Sequence, residues 1–340
     1  MKVLIIKTSS LGDVIHTLPA LTDAGKAIPG IRFDWVVEQA FAEVPTWHPL
    51  VDRVIPVSLR RWRKRPWKAI RTGEWKNFRK QLRTEKYDLV LDAQGLIKSA
   101  FLAYFARGIR AGLDRYSAWE PLATCVYQRK YAVNPDQHAV RRIRQLFAAA
   151  LGYAVSTTTA DYGIDLNKLI NHTHQENDII FLHGTTWRTK HWPESYWRQL
   201  AEIATKNGYR VKLPWGNITE HERAQRIAEG LINVQVLPKL NLTDIAKILA
   251  SAKASVAVDT GLGHLAAALR VPTISLYGPT DPLLTGTVGD KQIHLAAQFP
   301  CAPCLRTVCN YTGPREVEPA CFGTLPPKMV WEKLNSALKI

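Results

Sequence analysis

Short apolar runs alternate with amphipathic segments along most of the chain, and each run is long enough for one buried strand. Strands that alternate with helical segments are typical of parallel α/β folds. In the first half, the apolar runs predict strands at 3–6, 33–37, 54–57, 89–91 and 109–112. The segments between them predict helices at about 14–27, 75–84, 97–106 and 137–151.

The same alternation restarts after a polar stretch at 156–177, which predicts a linker. Strands of the second half are predicted at 179–182, 210–213, 234–237, 254–258 and 273–276. Helices of the second half are predicted at about 194–206, 220–229, 242–252, 263–269 and 328–338.

Two such halves predict an α/β protein of two Rossmann-like domains that face each other across a cleft. The predicted boundaries are 1–165 for the N-terminal domain, 175–325 for the C-terminal domain, and 326–340 for a final helix that packs back toward the N-terminal domain. Ligands of open parallel sheets bind beyond the carboxyl ends of the strands. The loops after the strands are therefore where we expect the chemistry.

Composition indicates the class of protein and the compartment in which we expect it. Of the 340 residues, 46% are hydrophobic and 22% are charged, which is normal for a soluble globular protein. No apolar stretch approaches the ~18 residues that a membrane-spanning helix needs. The opening Met1–Lys7 has an apolar run too short for a signal peptide, so we expect the protein to stay in the cytoplasm.

The formal net charge of +16 favours anionic partners. Much of it lies between Arg53 and Lys86, where thirteen Lys and Arg residues face two acids, Glu74 and Glu85. Trp62 interrupts the run of cations. A solvated face, a nucleic-acid patch and an element for binding a membrane surface or an acceptor all remain open. Nucleic acid ranks last because no known nucleic-acid-binding motif accompanies the segment.

Four of the five cysteines lie near the end of the chain, at Cys301, Cys304, Cys309 and Cys321. The first two have the spacing of a zinc-binding pair, but the last two do not form a second close pair. A structural metal, a disulfide and a loop of free thiols all remain open.

The loop after the first strand, at 7–13, has neither a P-loop nor a G-x-G-x-x-G motif, which argues against an ordinary ATP or dinucleotide site. It does carry Asp13 beside Gly12. An acid in the first turn of a helix is favoured there by the helix dipole, and spacing alone favours that structural interpretation. The alternative is a general base that takes a proton from an attacking hydroxyl.

Two loops of the second half are suited to a diphosphate. After the strand at 254–258, the segment Asp259 to His264 turns into a helix whose N–H groups, hydroxyl and glycines can cradle an anion. The loop at 183–193 offers Thr185, Thr186 and Lys190, which supply donors and a positive charge for a leaving group. A solvated basic loop is the alternative interpretation of 183–193.

Taken together, these segments resemble the ADP-heptose:lipopolysaccharide heptosyltransferases over nearly the whole chain. The resemblance rests on KTSSLGDVIHTLP at 7–19, DAQGLIKS at 92–99, the Thr185–Thr186 pair with KHWP at 190–193, and VDTGLGHLAAAL at 258–269. It favours the type I branch of that family, which acts on a Kdo acceptor.

The resemblance implies a GT-B fold and an inverting transfer of heptose from ADP-heptose to the inner Kdo of Kdo2-lipid A. It implies no cofactor and no metal, and a protein that contacts the cytoplasmic face of the inner membrane without crossing it. We expect a monomer that binds no nucleic acid.

The resemblance also implies roles for single residues. Asp13 is the expected general base. The expected donor-binding residues are Thr185, Thr186, Lys190, Glu220, Glu222, Leu240, Asp259, Thr260, Gly261 and His264. The expected acceptor-binding residues are Ser10, Gly12, Arg60, Arg61, Arg63, Lys64, Gln94 and Lys98, since carboxylates and phosphates on the acceptor call for cations.

Two positions depart from the pattern of the type I branch. Trp119 stands where an Arg is expected, and the terminal cysteines are more typical of other heptosyltransferases. Three alternatives remain: a family member that acts on an already heptosylated core (type II or III), a non-catalytic protein that binds anions or membranes, and a nucleotide-sugar epimerase of GT-B type.

Overall fold

The computed structural model describes residues 1–169 and 177–339. The chain divides into two compact units, Met1–Ile164 and Asp165–Ile340, each with its own parallel sheet. The division lies inside the predicted linker, of which residues 170–176 are outside the described residues. Within the described residues, no helix is both long enough and apolar enough to cross a membrane.

The first unit contains a six-stranded parallel sheet in the order β3-β2-β1-β4-β5-β6. Its strands are β1 (Lys2–Ile6), β2 (Arg32–Glu38), β3 (Val51–Val57), β4 (Leu89–Asp92), β5 (Ile109–Leu113) and β6 (Arg129–Tyr131). Its helices are α1 (Leu11–Ala27), α2 (Glu43–Thr46), α3 (Leu59–Lys64), α4 (Pro66–Arg71), α5 (Glu74–Leu82), α6 (Ile97–Phe105) and α7 (Ala139–Leu151), with 3-10 turns at Gln39–Phe41 and Pro121–Val126.

The second unit contains a six-stranded parallel sheet in the order β12-β11-β10-β7-β8-β9. Its strands are β7 (Asp178–Leu182), β8 (Arg210–Leu213), β9 (Val234–Val236), β10 (Ala254–Val258), β11 (Thr273–Tyr277) and β12 (Gln292–Ala296). Its helices are α8 (Glu194–Lys206), α9 (Ile218–Ala228), α10 (Leu242–Ala250), α11 (Gly261–Ala268), α12 (Pro282–Thr285) and α13 (Pro327–Leu338), with 3-10 turns at Leu166–Lys168, Arg188–Lys190 and Ala320–Thr324.

Burial explains why the central strands are predictable. Every residue of β7, β10 and β11 is buried, as is all of β1 except its first residue, because helices cover both faces of a parallel sheet. Such strands are continuous apolar runs, so the sequence marks them clearly. The two Rossmann-like domains predicted from the sequence are confirmed.

One edge strand of each sheet, β6 and β12, escapes the sequence pattern, whereas the other edge strands, β3 and β9, are predicted. β6 has the sequence RKY and β12 the sequence QIHLA, and no residue of either strand is fully buried. An edge strand has a neighbour on one side only and need not be apolar, so its sequence does not stand out from a loop. The sequence therefore predicts five strands in each half, where the structure has six.

The sequence predicts that 326–340 packs back toward the first domain, and this stays a prediction. The structure groups α13 with the second unit, where it packs against α8, β11 and β10. The reason is its apolar face: Val330, Trp331 and Leu334 belong to the core cluster that also contains Trp197.

Candidate active-site residues in the two units

Both sheets have the same switch point, the position where the strand order reverses. In the first unit β1 lies beside β4, and in the second β7 lies beside β10. The loops after such adjacent strands start in opposite directions and leave a crevice in which α/β proteins bind ligands. Most of the predicted site residues fall in these four loops.

In the first unit, Gln94 joins the loop after β4 to the loop after β1. The backbone N–H and the Oγ1 hydroxyl of Thr8 both donate to Oε1 of Gln94 at 2.8 Å, and Nε2 of Gln94 donates to the carbonyl of Ser9 at 2.9 Å. The Gln94 side chain is buried. Gln94 therefore braces the loop; its contact with an acceptor stays a prediction.

Asp13 occupies the first turn of α1, and its two carboxylate oxygens have different surroundings. Oδ2 accepts the backbone N–H of Ser10 at 2.6 Å and its hydroxyl at 2.9 Å, which completes a capping box at the start of α1. Oδ1 lies 3.6 Å from Nζ of the buried Lys7, and the side chain is 41% exposed. The structural interpretation of Asp13 is thus correct, yet one oxygen is left for chemistry.

Asp92 supports this arrangement, and sequence reasoning does not single it out as a functional residue. Its Oδ2 accepts the hydroxyl of Tyr127 at 2.6 Å, and its Oδ1 accepts the backbone N–H groups of Gln94 and Gly95 at 2.8 and 3.2 Å. Complete burial raises the pKa of the Asp92 carboxyl. An Asp that ends a buried strand is the signal that could have found it.

The predicted basic cluster lies on α3, a short helix whose first two backbone N–H groups bind the carboxylate of Glu38. The carboxylate of Glu38 accepts the backbone N–H groups of Leu59 and Arg60, and burial raises the pKa of that carboxyl. Arg61 forms an ion pair with Glu74 at 2.6 Å. The side chains of Arg60, Arg63 and Lys64 are exposed, so these three are better placed than Arg61 to meet an anion.

Two further positions of the first unit belong to the predicted acceptor region. Lys98, near the start of α6, is exposed and its Nζ lies 3.4 Å from the hydroxyl of Ser9. Trp119 is 69% exposed, and the guanidinium of Arg142 lies 4.9 Å from its ring centroid. An arginine is therefore close to the position where Trp replaces the expected one.

In the second unit, four loops line up along one edge of the sheet. β10, β7, β8 and β9 are consecutive neighbours, so the loops that follow them lie in that order. Along this edge lie, in turn, Asp259, Lys190, Glu220 in the first turn of α9, and Leu240. Residues that are far apart in the sequence thus form one continuous row.

Lys190 and Asp259 form the centre of that row. Their side chains pair at 2.7 Å and are 16% and 9% exposed, respectively. Thr280 donates to the same carboxylate oxygen at 2.7 Å, and Thr185 donates to the carbonyl of Asp259 at 2.9 Å. The ammonium of Lys190 also lies 4.4 Å from the ring centroid of Trp187. Asp259 therefore fixes the position of the Lys190 cation.

The start of α11 provides backbone donors next to this pair. Thr260 is the N-cap and Gly261 the first helical residue, so N–H groups of the first turn are available to an anion. Gly263 is needed for packing, because a Cβ there would lie 3.2 Å from Cβ of Ala257. His264 is buried. Thr186 is exposed.

Glu220 and Glu222 lie on different sides of α9. The carboxylate of Glu220 accepts the backbone N–H of Gly216 at 2.7 Å and approaches Gly184 so closely that a Cβ there would lie 2.8 Å from its carboxyl carbon. Glu222 is exposed, and the hydrogen bond from Arg226 to Glu194, with a smaller contribution from Glu222, raises the pKa of Arg226. Residues two apart in a helix point about 200° away from each other. The geometry favours Glu220 as the donor contact.

Two histidines at this edge of the second sheet also escape sequence reasoning. His183 is fully buried directly after β7, and burial together with the nearby Arg223 lowers its pKa to about 3. Burial and Arg223 likewise lower the pKa of His191 to about 4. Both imidazoles are neutral near pH 7. A His directly after a buried strand is the only signal in the sequence.

The terminal cysteines are all free thiols, so the disulfide alternative is not realised in the structure. Burial raises the pKa of Cys321 to about 11, with smaller contributions in the same direction from Cys301, Cys304 and Cys309. Among the described residues, no group of three or more His, Cys, Asp or Glu side chains is placed to hold a metal ion.

Similarity to known proteins shows the family of the chain. The family model described as "Glycosyltransferase family 9 (heptosyltransferase)" matches residues 75–313. Lipopolysaccharide heptosyltransferase 1 of Pseudomonas aeruginosa is 56% identical, with 99% of this chain and 98% of that protein covered.

Two solved structures of the Escherichia coli heptosyltransferase WaaC match the whole fold. The structure with ADP has a TM-score of 0.87 at 47% identity and covers 99% of this chain and 100% of that one. The structure with ADP-2-deoxy-2-fluoro heptose has a TM-score of 0.85 at 46% identity and covers 99% of both chains. The protein has the architecture of these GT-B enzymes, transfers heptose in the synthesis of the lipopolysaccharide core, and belongs to glycosyltransferase family 9, the heptosyltransferases.

Proposed function

We propose that the protein transfers L-glycero-D-manno-heptose from ADP-heptose to the inner Kdo of Kdo2-lipid A, with inversion at the anomeric carbon. The observation that carries this proposal is the full-length similarity to heptosyltransferase 1, at 56% identity. The solved relative that binds ADP-2-deoxy-2-fluoro heptose supports the identity of the donor.

The second unit holds the donor in this proposal. Lys190, fixed by Asp259, meets the diphosphate together with the hydroxyls of Thr185 and Thr186 and the first turn of α11, where Thr260, Gly261 and His264 lie. Glu220 accepts hydrogen bonds from ribose hydroxyls, and Leu240 packs against the nucleoside. The strand order supports this assignment, because the residues proposed for the diphosphate follow β10 and β7, and those proposed for the nucleoside follow the neighbouring β8 and β9.

The first unit activates the acceptor. Oδ1 of Asp13 takes the proton of the Kdo hydroxyl as its oxygen forms a bond to the anomeric carbon of heptose. The bond from that carbon to the diphosphate oxygen breaks, and the electron pair leaves with ADP. Attack from the face opposite the leaving group inverts the anomeric configuration.

The charge that develops on the diphosphate needs compensation at the moment of transfer. A fixed ammonium, hydroxyls and a helix N-terminus supply it without reorganisation. We therefore propose that transfer proceeds without a metal ion, with Lys190 as the main cation.

The acceptor carries carboxylates and phosphates, and the exposed Arg60, Arg63, Lys64 and Lys98 match them in charge. Ser10 and Gly12 border the hydroxyl on the loop that carries Asp13. A lipid-bound acceptor places the enzyme, as a monomer, at the cytoplasmic face of the inner membrane, in contact with its leaflet.

An acceptor-resolved transfer assay tests the proposal. Purified protein receives ADP-heptose with Kdo2-lipid A, with an already heptosylated core, or with no acceptor, and the products are resolved by mass spectrometry. We expect heptose on Kdo2-lipid A only. Transfer to the heptosylated core alone would assign the protein to the type II or III branch, and donor consumption without acceptor would favour an epimerase.

A further inference from the structure

The first unit contains a cavity of about 590 Å³ whose apolar lining residues have no part in the proposed reaction. Helices α3 to α6 surround it, and its walls include Trp62, Ala69, Ile70, Trp75, Phe101 and Phe105. The polar residues that line it are Ser9, Glu38, Arg60, Arg63 and Lys98. The lining is therefore mostly apolar, and three of its five polar residues are cations.

The walls are built from packed aromatic rings. Trp75 stacks on Phe101 at 5.5 Å between ring centroids, and Phe105 meets Trp75 edge-on at 5.2 Å. Phe78 lies under Trp75 at 5.8 Å and belongs to the core of the unit. The cavity floor is thus rigid, so the space is not readily closed by collapse of its own side chains.

Large exposed apolar side chains belong to the cavity wall, at Ile70 and Phe101, and continue beyond it, at Trp67 and Tyr104. On α4, Trp67 is 81% exposed and Ile70 is 61% exposed, and their spacing of three residues puts them on one face of the helix. On α6, Phe101 and Tyr104 are 49% and 61% exposed. A contiguous apolar patch of this kind on a soluble domain marks an interaction site.

The charge around the patch indicates its partner. Between Arg53 and Lys86, thirteen cations face two acids, and one of those acids, Glu74, is occupied by Arg61. Exposed tryptophan surrounded by cations is the pattern of surfaces that lie in the interface of an anionic bilayer. Nucleic acid is a poorer match, because an apolar cavity offers nothing to phosphates or base edges.

We propose that this cavity binds one acyl chain of an anionic membrane phospholipid, while exposed cations of the same segment that are not assigned to the acceptor, Arg65, Lys68 and Arg71, hold its headgroup. The inference deepens the leaflet contact of the proposed function and rests on it. A leaflet lipid is favoured over the acyl chains of the acceptor because the exposed residues extend beyond the cavity mouth, as a surface lying flat on a bilayer requires. The chain would anchor the first unit beside the Asp13 loop, since Ser9 lies in the cavity wall.

Vesicle binding of the full-length protein tests the inference. Phosphatidylethanolamine–phosphatidylglycerol vesicles carry bromine either on the acyl chain or near the headgroup, and quenching of tryptophan fluorescence is recorded. We expect stronger quenching by chain bromine, because Trp62 and Trp75 form cavity walls. Phosphatidylcholine vesicles, which carry no net charge, should bind far less.

Two variants and one matched control test whether the acyl chain binds in the cavity. Ala69→Phe fills the cavity at a buried wall position, and Ala149→Phe places the same side chain on the exposed face of α7 as its matched control. Ile70→Asp tests the same cavity from an exposed position, where the fold tolerates polarity. We expect Ala69→Phe and Ile70→Asp to lose chain-dependent quenching and about tenfold in vesicle affinity, and Ala149→Phe to match the wild type. Melting temperatures check that each variant is folded.

The possible results of these experiments distinguish the leaflet contact from the binding of an acyl chain in the cavity. Absence of binding to anionic vesicles would overturn both the leaflet contact and the cavity inference, whereas transfer in solution would be unaffected. Binding with headgroup quenching only, and unchanged in Ile70→Asp, would overturn the cavity inference and leave the leaflet contact standing. A dependence of the acceptor KM on acylation, with no quenching by phospholipid chains, would assign the cavity to the acceptor instead.

Discussion

Each unit places an aspartate at its switch point, and the two aspartates have opposite surroundings. Asp13 follows β1 and is 41% exposed, with one oxygen committed to the cap of α1 and the other 3.6 Å from Lys7. Asp259 follows β10 and is buried, with its carboxylate bound to Lys190 and Thr280 at 2.7 Å. The first carboxylate can reach a ligand, whereas the second is satisfied by the protein itself.

The difference teaches how one topology supports two tasks. A base must exchange a proton with its substrate, so it needs an accessible oxygen. A group that fixes a cation needs the reverse, a buried and fully paired position that holds its partner still. We assign Asp13 to the reaction and Asp259 to the positioning of Lys190.

The largest effect that bears on this comparison is expected for Lys190→Ala. The variant removes the donor cation and leaves the carboxylate of Asp259 buried without its partner. We expect kcat/KM for ADP-heptose to fall about 10²–10³-fold and the free energy of unfolding to fall by about 3–5 kcal/mol. Steady-state kinetics and urea denaturation measure the two losses.

The double variant Lys190→Ala with Asp259→Asn is the control. Without the uncompensated charge it should recover most of the lost stability but none of the activity. Recovery of activity in the double variant would contradict the role of Lys190 as the donor cation.

A smaller effect is expected for Gln94→Leu in the first unit. The substitution keeps the volume but removes the hydrogen bonds to Thr8 and Ser9, and each unsatisfied buried group costs about 1–3 kcal/mol. These hydrogen bonds hold the loop that leads to Asp13, so kcat should fall while the affinity for ADP stays unchanged. Calorimetry with ADP alongside the kinetics checks this split, and a loss of ADP affinity would count against it.

Glu220→Gln and Glu222→Gln form a matched pair in the second unit. We expect ADP affinity to fall about tenfold for Glu220→Gln, since a hydrogen bond to a charged group contributes about 1.5–3 kcal/mol. Glu222→Gln should stay within about twofold, because solvated surface changes have small effects. Equal losses in the two variants would refute the assignment of Glu220.

The last prediction concerns stability alone, through pH and the buried His183. Its pKa is lowered to about 3 in the folded protein, whereas in the unfolded chain it protonates near the ordinary 6.5. As pH falls from about 6.5 toward 3, the unfolded state therefore binds a proton that the folded state refuses. The free energy of unfolding should fall over this window, by at most about 1.4 kcal/mol per pH unit from this group. Denaturation of His183→Leu across the window should show a shallower slope; an unchanged slope would exclude this cause.

The buried strands make the fold predictable from the sequence. The apolar runs of β1, β7 and β10 and the loops that follow are local patterns, so the sequence alone is enough to single out the loops that carry Asp13, Lys190 and Asp259, whereas the roles of these residues come from the family resemblance and stay predictions. Long-range relations are not accessible in this way: the adjacency of β10 and β7, which pairs Lys190 with Asp259, is set by strand order.

Residues defined by their surroundings escape prediction for the same reason. His183 and Asp92 are distinguished by burial, and no periodicity marks them. Glu220 is distinguished from Glu222 by its packing against Gly184, which the sequence does not show. The basic segment is recognisable by composition, but its folding into α3 and α4 around an apolar cavity depends on Trp75 and Phe101, which lie on other helices.

The most direct test of the account is the single-turnover rate of Asp13→Asn at saturating ADP-heptose and Kdo2-lipid A. Asn keeps an oxygen for the cap of α1 but cannot take the proton. We predict a rate about 10²–10⁴-fold below the wild type, with ADP affinity and melting temperature nearly unchanged. A rate within a few-fold of the wild type would show that Asp13 caps its helix and is not the base.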